Sequence, residues 1–337
     1  MRPNGVAFAE RVSAAFDLGP VLNIRVVGPP GTANRVWRLD ATQGAFAVKE
    51  FRYTTTDTRW VSAIRRACEF EYTVWRAGRL QLAEPVFDAH GAMLQLLRGP
   101  CETEIVVRVH RWLDGTRLSQ PVTAQVAAAA GSILAEIQQI GADFDSAAGG
   151  SLRWWRWDPL GVVARLQHAG WLDTGVASSC VSALVATLKL LEAGEKTPGP
   201  WIFCHYDHKP DNCLRTTTRD VVLLDWDGSA RCHPRLEAVE SALLWAGMDK
   251  GAPNPDLFHA FVEGYRVGCG SIGRLQPSDF AKWIASGVGW FDYLGRRALG
   301  EFGDDDEQAA AAASAAVAAL LDLGSRLDDI SVWTGWV

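Results

Sequence analysis

The N-terminal third of the chain is patterned as a series of short strands. Apolar and polar residues alternate over residues 21–27, and residues 35–39 and 44–51 have the same strand-like character. Two more such runs follow at residues 92–97 and 104–109. The pattern predicts a small β-sheet.

The rest of the chain has the spacing of helices. One helix is predicted at residues 65–80, between the third and fourth strands. Further helices are predicted at residues 122–140, 176–191, 238–245, 257–264, 280–293 and 308–323. The acidic run at residues 304–307 is expected to favour the N-terminus of the last helix through the helix dipole. The pattern therefore predicts an α+β protein that is β-rich, with one helix, in its N-terminal third and mainly helical in the rest.

Composition bounds the class of protein. The 337 residues are 48% hydrophobic and 21% charged, which is enough for a two-lobed enzyme with a substantial core. Residues 1–20 carry charges and lack the apolar core of a signal peptide, and no run of about twenty apolar residues occurs. The seven cysteines include no Cys-x-x-Cys pair. These features predict a cytoplasmic protein that does not bind membranes. The net charge of −6 predicts that the chain does not bind nucleic acid. The sequence predicts no particular oligomeric state.

One short segment carries the groups that phosphoryl transfer requires. Transfer from a nucleotide needs a carboxylate to orient the attacking hydroxyl, a metal-binding amide and carboxylate, and a cation. Asp207, Asn212, Asp225 and Lys209 are residues of these types. Asp207 and Asn212 have the separation of the kinase loop His-x-Asp-x-x-x-x-Asn, and two short strands around a polar turn are expected to bring Asp225 beside Asn212. His205 is expected to support this loop by a hydrogen bond.

The segment resembles the catalytic region of the aminoglycoside phosphotransferase family, in which Asp-Trp replaces the Asp-Phe-Gly of protein kinases. The resemblance implies a bilobal protein-kinase-like fold, with a small, mostly antiparallel β-rich N-terminal lobe that has one helix and a larger, mainly helical C-terminal lobe. It also implies ATP and Mg²⁺ as cofactors. It implies that Asp207 is the catalytic base and that Asn212 and Asp225 hold the metal. Lys209 would offset charge on the γ-phosphate, although the Lys-Pro dipeptide that it begins is the form found in serine/threonine protein kinases.

The N-terminal region is expected to bind the nucleotide. Lys49 lies among apolar residues in the third predicted strand, as in the Val-Ala-Ile-Lys strand of kinases. A lysine there should meet phosphates and a carboxylate from the next helix. By resemblance Glu71 is the expected partner and Glu69 the alternative. The turn-rich loop between the first two strands is expected to face the phosphates through Gly28, Gly31 and Asn34.

The resemblance also places the boundary between the lobes. Residues 112–116 would form the hinge between an N-terminal lobe at 1–111 and a C-terminal lobe at 117–337. Main-chain groups of Arg111 and Leu113 would contact the base of the nucleotide. Because these contacts use the backbone, GTP is an alternative to ATP.

The acceptor is expected to be a small molecule. The segment after Asp225 is short and contains no Ala-Pro-Glu, so it offers no platform for a peptide. Residues 1–112 have 15 Lys and Arg against 11 Asp and Glu, a balance of +4, which leaves −10 for the remainder. An acidic lobe suits a cationic acceptor. The candidate acceptor-binding residues are Trp154, Trp155, Trp157 and Asp227, of which Asp227 could also assist the metal.

An aminoglycoside or another antibiotic is the favoured acceptor. The nearest alternative is a metabolic kinase of the choline, ethanolamine, sugar or homoserine type. A second alternative is a nucleotide-binding regulator without catalysis.

Overall fold

A computed structural model describes residues 3–28, 34–51, 58–98, 104–144, 152, 157–218, 220–302 and 304–337. The chain divides into two compact units. The first is Met1–Ser119 with Lys209–Ala230, and the second is Gln120–His208 with Arg231–Val337. This division differs from the predicted boundary at residues 112–116, because the strand Gly115–Arg117 pairs with the strand Cys213–Thr216.

The first unit is built on antiparallel sheets. Its elements are α1 (Pro3–Phe16), β1 (Val21–Val26), β2 (Asn34–Ala41), β3 (Gly44–Phe51), α2 (Thr58–Ala77), β4 (Pro85–Val86), β5 (Leu94–Arg98), β6 (Glu104–Arg111), β7 (Gly115–Arg117), β9 (Cys213–Thr216) and β10 (Val221–Leu223). The larger sheet has the order β1-β2-β3-β6-β4, with β5 also paired to β6. The smaller sheet has the order β10-β9-β7. The predicted strands and helix of the N-terminal region are confirmed.

Helix α1 is an element that the sequence analysis did not predict. Its buried residues Phe8, Val12 and Phe16 recur every fourth position and therefore share one face. They join a hydrophobic core with Leu39 and Phe46 of the larger sheet. Burial of this face against the sheet stabilises the helix.

The second unit is mainly helical. Its elements are α3 (Ala124–Phe144), α4 (Pro159–His168), α5 (Thr174–Glu195), β8 (Ile202–Cys204), β11 (Ala230–Cys232), α6 (Pro234–Trp245), α7 (Pro255–Val267), α8 (Ala281–Ala298), α9 (Asp306–Ser325) and α10 (Ile330–Trp333). Strands β8 and β11 form a two-stranded sheet. The six helices predicted for this region are confirmed, whereas α4 and α10 were not predicted.

Small residues let α3 and α7 approach closely. A Cβ atom added at Gly131 would lie 2.1 Å from the Phe261 carbonyl oxygen, and one at Gly264 would lie 1.8 Å from the Ala128 carbonyl oxygen. No side chain fits at either position without moving the facing backbone. The two glycines therefore set the spacing of these helices.

The acidic run before α9 acts as predicted. The Asp305 side chain accepts a hydrogen bond from the Gln308 backbone N–H at 2.9 Å, and the Gln308 side chain accepts one from the Asp305 N–H. This is a capping box, which satisfies two backbone donors at the start of the helix.

Two helices among the described residues, α5 and α9, are long and apolar enough to cross a membrane by length and composition. Core helices of soluble proteins pass the same test, so the observation is weak evidence for a membrane span. Both helices pack against α8 and against each other.

Candidate active site

A β-hairpin brings the two predicted metal ligands together. Leu223 of β10 pairs with Cys213 of β9, and the next backbone N–H along the chain, that of Leu224, donates to the Asn212 carbonyl oxygen at 2.8 Å. Asn212 and Asp225 therefore flank the open end of the hairpin. This is the arrangement that the sequence predicted.

Asp225 has a left-handed backbone, with φ 64° and ψ 57°. A non-glycine residue in this region is strained and persists only where its surroundings hold it. Trp226, the next residue, is 1% exposed and packs edge-on against Phe70 of α2, with the ring centroids 5.9 Å apart. The buried indole anchors the turn, while the Asp225 side chain remains 44% exposed.

Lys49 is held by two carboxylates that follow β10, those of Asp225 and Asp227. It lies on β3 opposite Val36 of β2, and its Nζ donates to Asp225 Oδ1 at 2.6 Å. It also forms an ion pair with Asp227. Burial lowers the pKa of Lys49, but Asp227 and Asp225 raise it by more, so the net pKa lies above its ordinary value and the side chain stays charged.

The predicted pairing of Lys49 with Glu71 is corrected by these contacts. Glu71 Oε2 accepts a hydrogen bond from Arg108 Nη1 at 2.8 Å, and Glu71 Oε1 lies 3.1 Å from His110 Nε2. The alternative partner, Glu69, forms an exposed ion pair with Arg66. Glu71 does not pair with Lys49 because Arg108 of β6 binds the buried Glu71 carboxylate instead.

Arg108 is the site residue that sequence reasoning missed. Its side chain is 4% exposed and lies between Glu71 and Asp227, with Nη2 2.9 Å from Asp227 Oδ1. Burial lowers the pKa of Arg108, but the carboxylates of Asp227 and Glu71 raise it further, so it is charged. A signal existed in the sequence, because a single arginine within the apolar run of β6 must meet a carboxylate. The same rule had singled out Lys49.

Asp227 is an interior anchor, which corrects its prediction as an acceptor-binding residue. Its side chain is 11% exposed and contacts both Lys49 and Arg108. The Asn34 side-chain amide also donates to Asp227 Oδ2 at 3.4 Å. Burial raises the pKa of Asp227, and Arg108 and Lys49 oppose that shift. Its contacts make it the centre of a charge cluster within the first unit.

A cavity of about 150 Å³ adjoins this cluster. Its walls include the apolar side chains Val36, Ala47, Ala83 and Leu224, and its polar lining includes Lys49, Asn212 and Asp225. Apolar walls suit the flat face of a base, and the polar groups suit phosphates. The exposed carboxylate of Asp225 and the amide of Asn212 are the oxygen donors that Mg²⁺ prefers, so these residues fit the implied metal.

The predicted phosphate loop is described only in part. Gly31 lies outside the described residues. Gly28 follows β1, where the neighbouring Val27 N–H donates to the Val36 carbonyl oxygen at 2.9 Å. Asn34 is the first residue of β2, and its side-chain amide donates a hydrogen bond to Asp227. Its predicted contact with the phosphates stays a prediction.

The predicted base contacts at the end of β6 use main-chain groups of Arg111 and Leu113. The Arg111 backbone N–H donates to the Glu84 carbonyl oxygen at 2.8 Å, and the Trp112 N–H donates to Ala45 at 2.9 Å. The Arg111 N–H is therefore used within the first unit, and the contact of the Arg111 main chain with a base stays a prediction. Within the described residues, the N–H of Leu113 has no such backbone acceptor, so Leu113 stays a prediction.

Asp207 belongs to the second unit, where the backbone N–H groups of Tyr206 and Asp207 are both hydrogen-bonded. Tyr206, the residue before it, has a φ of 73°. The Asp207 backbone N–H donates to His205 Nδ1 at 3.3 Å. The predicted supporting role of His205 is therefore confirmed. Lys209, two residues after Asp207, accepts a hydrogen bond at its carbonyl oxygen from the Asn212 N–H at 3.1 Å, within the first unit.

His208 is a buried neutral residue beside this turn. Its Nδ1 accepts a hydrogen bond from Trp245 Nε1 at 3.1 Å. Burial lowers the pKa of His208 to about 3, with a smaller contribution from His205. The imidazole therefore stays neutral in the folded protein at pH values where it would be protonated in the unfolded chain.

Acid should therefore destabilise the protein through His208. The unfolded imidazole takes up a proton below about pH 6.5, so the free energy of unfolding should fall by about 1.4 kcal/mol per pH unit as the pH drops below that value. In His208→Gln this contribution should disappear, giving a flatter dependence between about pH 6.5 and about pH 5 in urea denaturation. His168→Gln, at an exposed histidine, is the matched control and should keep the wild-type slope. Equal slopes in His208→Gln and wild type would contradict the expectation.

The predicted aromatic acceptor site is described at one position. Trp154 and Trp155 lie outside the described residues. Trp157 is half-buried, and a Cβ atom added at Gly289 of α8 would lie 2.5 Å from its ring. Trp157 therefore packs against α8, which is a structural role, and its contact with an acceptor stays a prediction.

Comparison with known families decides the class of the protein. The model of the phosphotransferase enzyme family, APH, matches residues 26–270, which is more than two thirds of the chain. The chain belongs to this family. The phosphotransferase is thus a small-molecule kinase that acts on a hydroxyl group. No protein of curated function matches its sequence closely enough to count as a relative.

Solved structures agree on the fold of the phosphotransferase. Spectinomycin phosphotransferase APH(9)-Ia, in complex with ADP and spectinomycin, has a TM-score of 0.66 at 12% identity, covering 97% of this chain and 99% of that one. An amicoumacin kinase in complex with AMP-PNP and Ca²⁺ has a TM-score of 0.66 at 11% identity, covering 96% and 92%. A microcompartment-associated aminopropanol kinase has a TM-score of 0.64 at 14% identity, covering 95% and 97%. These likenesses establish the predicted protein-kinase-like fold.

Proposed function

We propose that the phosphotransferase transfers the γ-phosphate of ATP to a hydroxyl group of an antibiotic, with aminoglycosides as the first class to test. The observation that carries the proposal is the cavity that Lys49, Asn212 and Asp225 line together. It combines a cation, an amide oxygen and an exposed carboxylate beside apolar walls. This combination suits the phosphates, metal and base of Mg·ATP.

Each residue has a distinct part in the proposed reaction. Lys49 orients the phosphates, and Asn212 and Asp225 hold Mg²⁺, which offsets phosphate charge when bound. Asp207 orients the acceptor hydroxyl and takes its proton as the oxygen attacks. Lys209 offsets charge on the transferred group. GTP is the alternative nucleotide, because the predicted base contact at Leu113 uses the backbone.

Two observations support an antibiotic as acceptor. Two of the similar solved structures are kinases of spectinomycin and amicoumacin. The chain after residue 112 also has a charge balance of −10, which suits a cationic molecule. The aminopropanol kinase supports the second candidate, a metabolic kinase acting on a small amino alcohol.

Release of ADP from Mg·ATP is the direct test. The acceptor panel should include aminoglycosides, peptide and macrolide antibiotics, nucleosides, sugars and amino alcohols. We expect one antibiotic class to raise ADP release above the acceptor-free rate, and the same compound with its reactive hydroxyl methylated to give no increase. Stimulation by an amino alcohol or sugar alone would favour the metabolic kinase. Silence with every acceptor would favour the non-catalytic regulator.

A further inference from the structure

The residue before the proposed catalytic base has an unusual backbone. Tyr206 has a φ of 73°, in the left-handed region that side chains other than glycine rarely adopt. The direction in which the chain enters Asp207 depends on this angle. A strained residue keeps such a conformation only when its neighbours hold it.

Three polar groups of Tyr206 are hydrogen-bonded within the second unit. Its backbone N–H donates to Glu237 Oε1 of α6 at 2.5 Å, and its hydroxyl donates to the Leu152 carbonyl oxygen at 2.8 Å. Its carbonyl oxygen accepts from Lys282 Nζ of α8 at 2.8 Å. The peptide bond that links Tyr206 to Asp207 is thus held at its oxygen by one lysine.

Lys282 is a buried cation that does not line the cavity formed by Lys49, Asn212 and Asp225. Its side chain is 1% exposed, and Nζ donates to Glu240 Oε2 at 2.5 Å and to Ser286 Oγ at 3.3 Å. The ammonium also lies 3.9 Å from the centre of the Tyr206 ring. Burying an ammonium is costly unless it is paired, and a nonpolar pair of similar volume would serve packing as well. The contacts of the Lys282 ammonium with the Tyr206 carbonyl and ring indicate that the charge holds Tyr206 in place.

We propose that Lys282 is a positioning residue for catalysis, which holds the Tyr206 carbonyl and so fixes the orientation of Asp207. This rests on the proposed function, in which Asp207 meets the acceptor hydroxyl. Glu240 keeps the Lys282 ammonium in place, and Ser286 binds the same ammonium without touching Tyr206. The effect of Lys282 should therefore pass through Tyr206 and not through α8 as a whole.

The test uses the full chain with Lys282→Met combined with Glu240→Gln, which removes both buried charges and leaves neither unpaired. We expect kcat to fall by about 10- to 100-fold, since a small misplacement of a catalytic group has effects of this size. The dissociation constant for ATP should stay within about twofold, because Lys282 does not line the nucleotide cavity. The single variant Lys282→Arg retains a cationic donor. Its kcat should therefore lie between that of the double variant and that of wild type.

Ser286→Ala is the matched control, because it removes a bond to Lys282 at an exposed residue and leaves Tyr206 untouched. It should keep the wild-type kcat. The proposal is overturned if the double variant retains the wild-type kcat, or if Ser286→Ala loses as much as the double variant. A parallel loss of kcat and ATP affinity would also overturn it, since that pattern indicates general damage to the fold.

A second measurement separates this proposal from the proposed function. Amide hydrogen exchange of a peptide covering residues 205–208 reports on the turn without any acceptor. In the double variant we expect exchange there to be about tenfold faster or more, with helix α3 unchanged. Unchanged exchange would overturn the role of Lys282 even if kcat fell. If wild type released no ADP with any acceptor, the proposed function would fail, while exchange would still decide whether Lys282 holds the turn.

Discussion

Replacing Asp207 with asparagine should lower the turnover of the phosphotransferase by about 10²- to 10⁴-fold, the range that a general base contributes. Asparagine keeps the size of the side chain and removes the carboxylate that would accept the hydroxyl proton. ATP affinity should change little, because Lys49, Asn212 and Asp225 remain. Steady-state ADP release with the stimulating acceptor measures turnover, and a fluorescent ATP analogue measures affinity.

Asp220→Asn is the control for this experiment. Asp220 is an exposed carboxylate in the turn between β9 and β10, where it accepts a hydrogen bond from Thr218. Its loss should leave turnover within about twofold of wild type. A wild-type rate in Asp207→Asn would remove Asp207 from the mechanism, whereas a matching loss in Asp220→Asn would point to damage of the hairpin.

Replacing Arg108 with methionine should lower the free energy of unfolding by about 3–5 kcal/mol, the usual effect of breaking a buried ion pair by removing one partner. Methionine fills much of the arginine volume but removes the cation that contacts the buried carboxylates of Glu71 and Asp227. Chemical denaturation at neutral pH measures the change. Adding Glu71→Gln to Arg108→Met should recover part of the loss, because it removes one of the buried charges.

The matched control lies on α2, next to Glu71. Arg66 pairs with Glu69, and their side chains are 42% and 49% exposed. Exposed pairs contribute about 0–1 kcal/mol, so Arg66→Met should have a small effect. Similar losses from Arg66→Met and Arg108→Met would show that burial of the Arg108 pair does not matter.

The sequence predicted the catalytic hairpin well because local rules determine it. Asn212 and Asp225 lie on either side of two short strands and a polar turn, so strand pairing alone places them together. Lys49 was found in the same way, as a charge within an apolar strand. In each case the information needed is contained in about twenty consecutive residues or fewer.

The partners of these charges could not be predicted as reliably, because they come from distant segments. Glu71 was expected to pair with Lys49, yet Arg108, which is 37 residues further on, takes its carboxylate. Asp227 reaches Lys49 across more than 170 residues. Choosing among several buried charges of opposite sign requires distances in three dimensions. Helix α1 was missed for a related reason, since its apolar face is stabilised by packing against the sheet.

The discontinuity of the first unit affects how the chain can fold during synthesis. Residues 1–119 leave the ribosome well before residues 209–230, which complete the unit. During that interval, Lys49 has been made but its carboxylate partners Asp225 and Asp227 have not, so the nascent sheet would enclose this cation before its counter-ions exist. Residues 1–119 therefore remain incompletely packed while residues 120–208 are translated. A nascent chain in that state exposes apolar surface, which makes it prone to aggregation until the unit is complete.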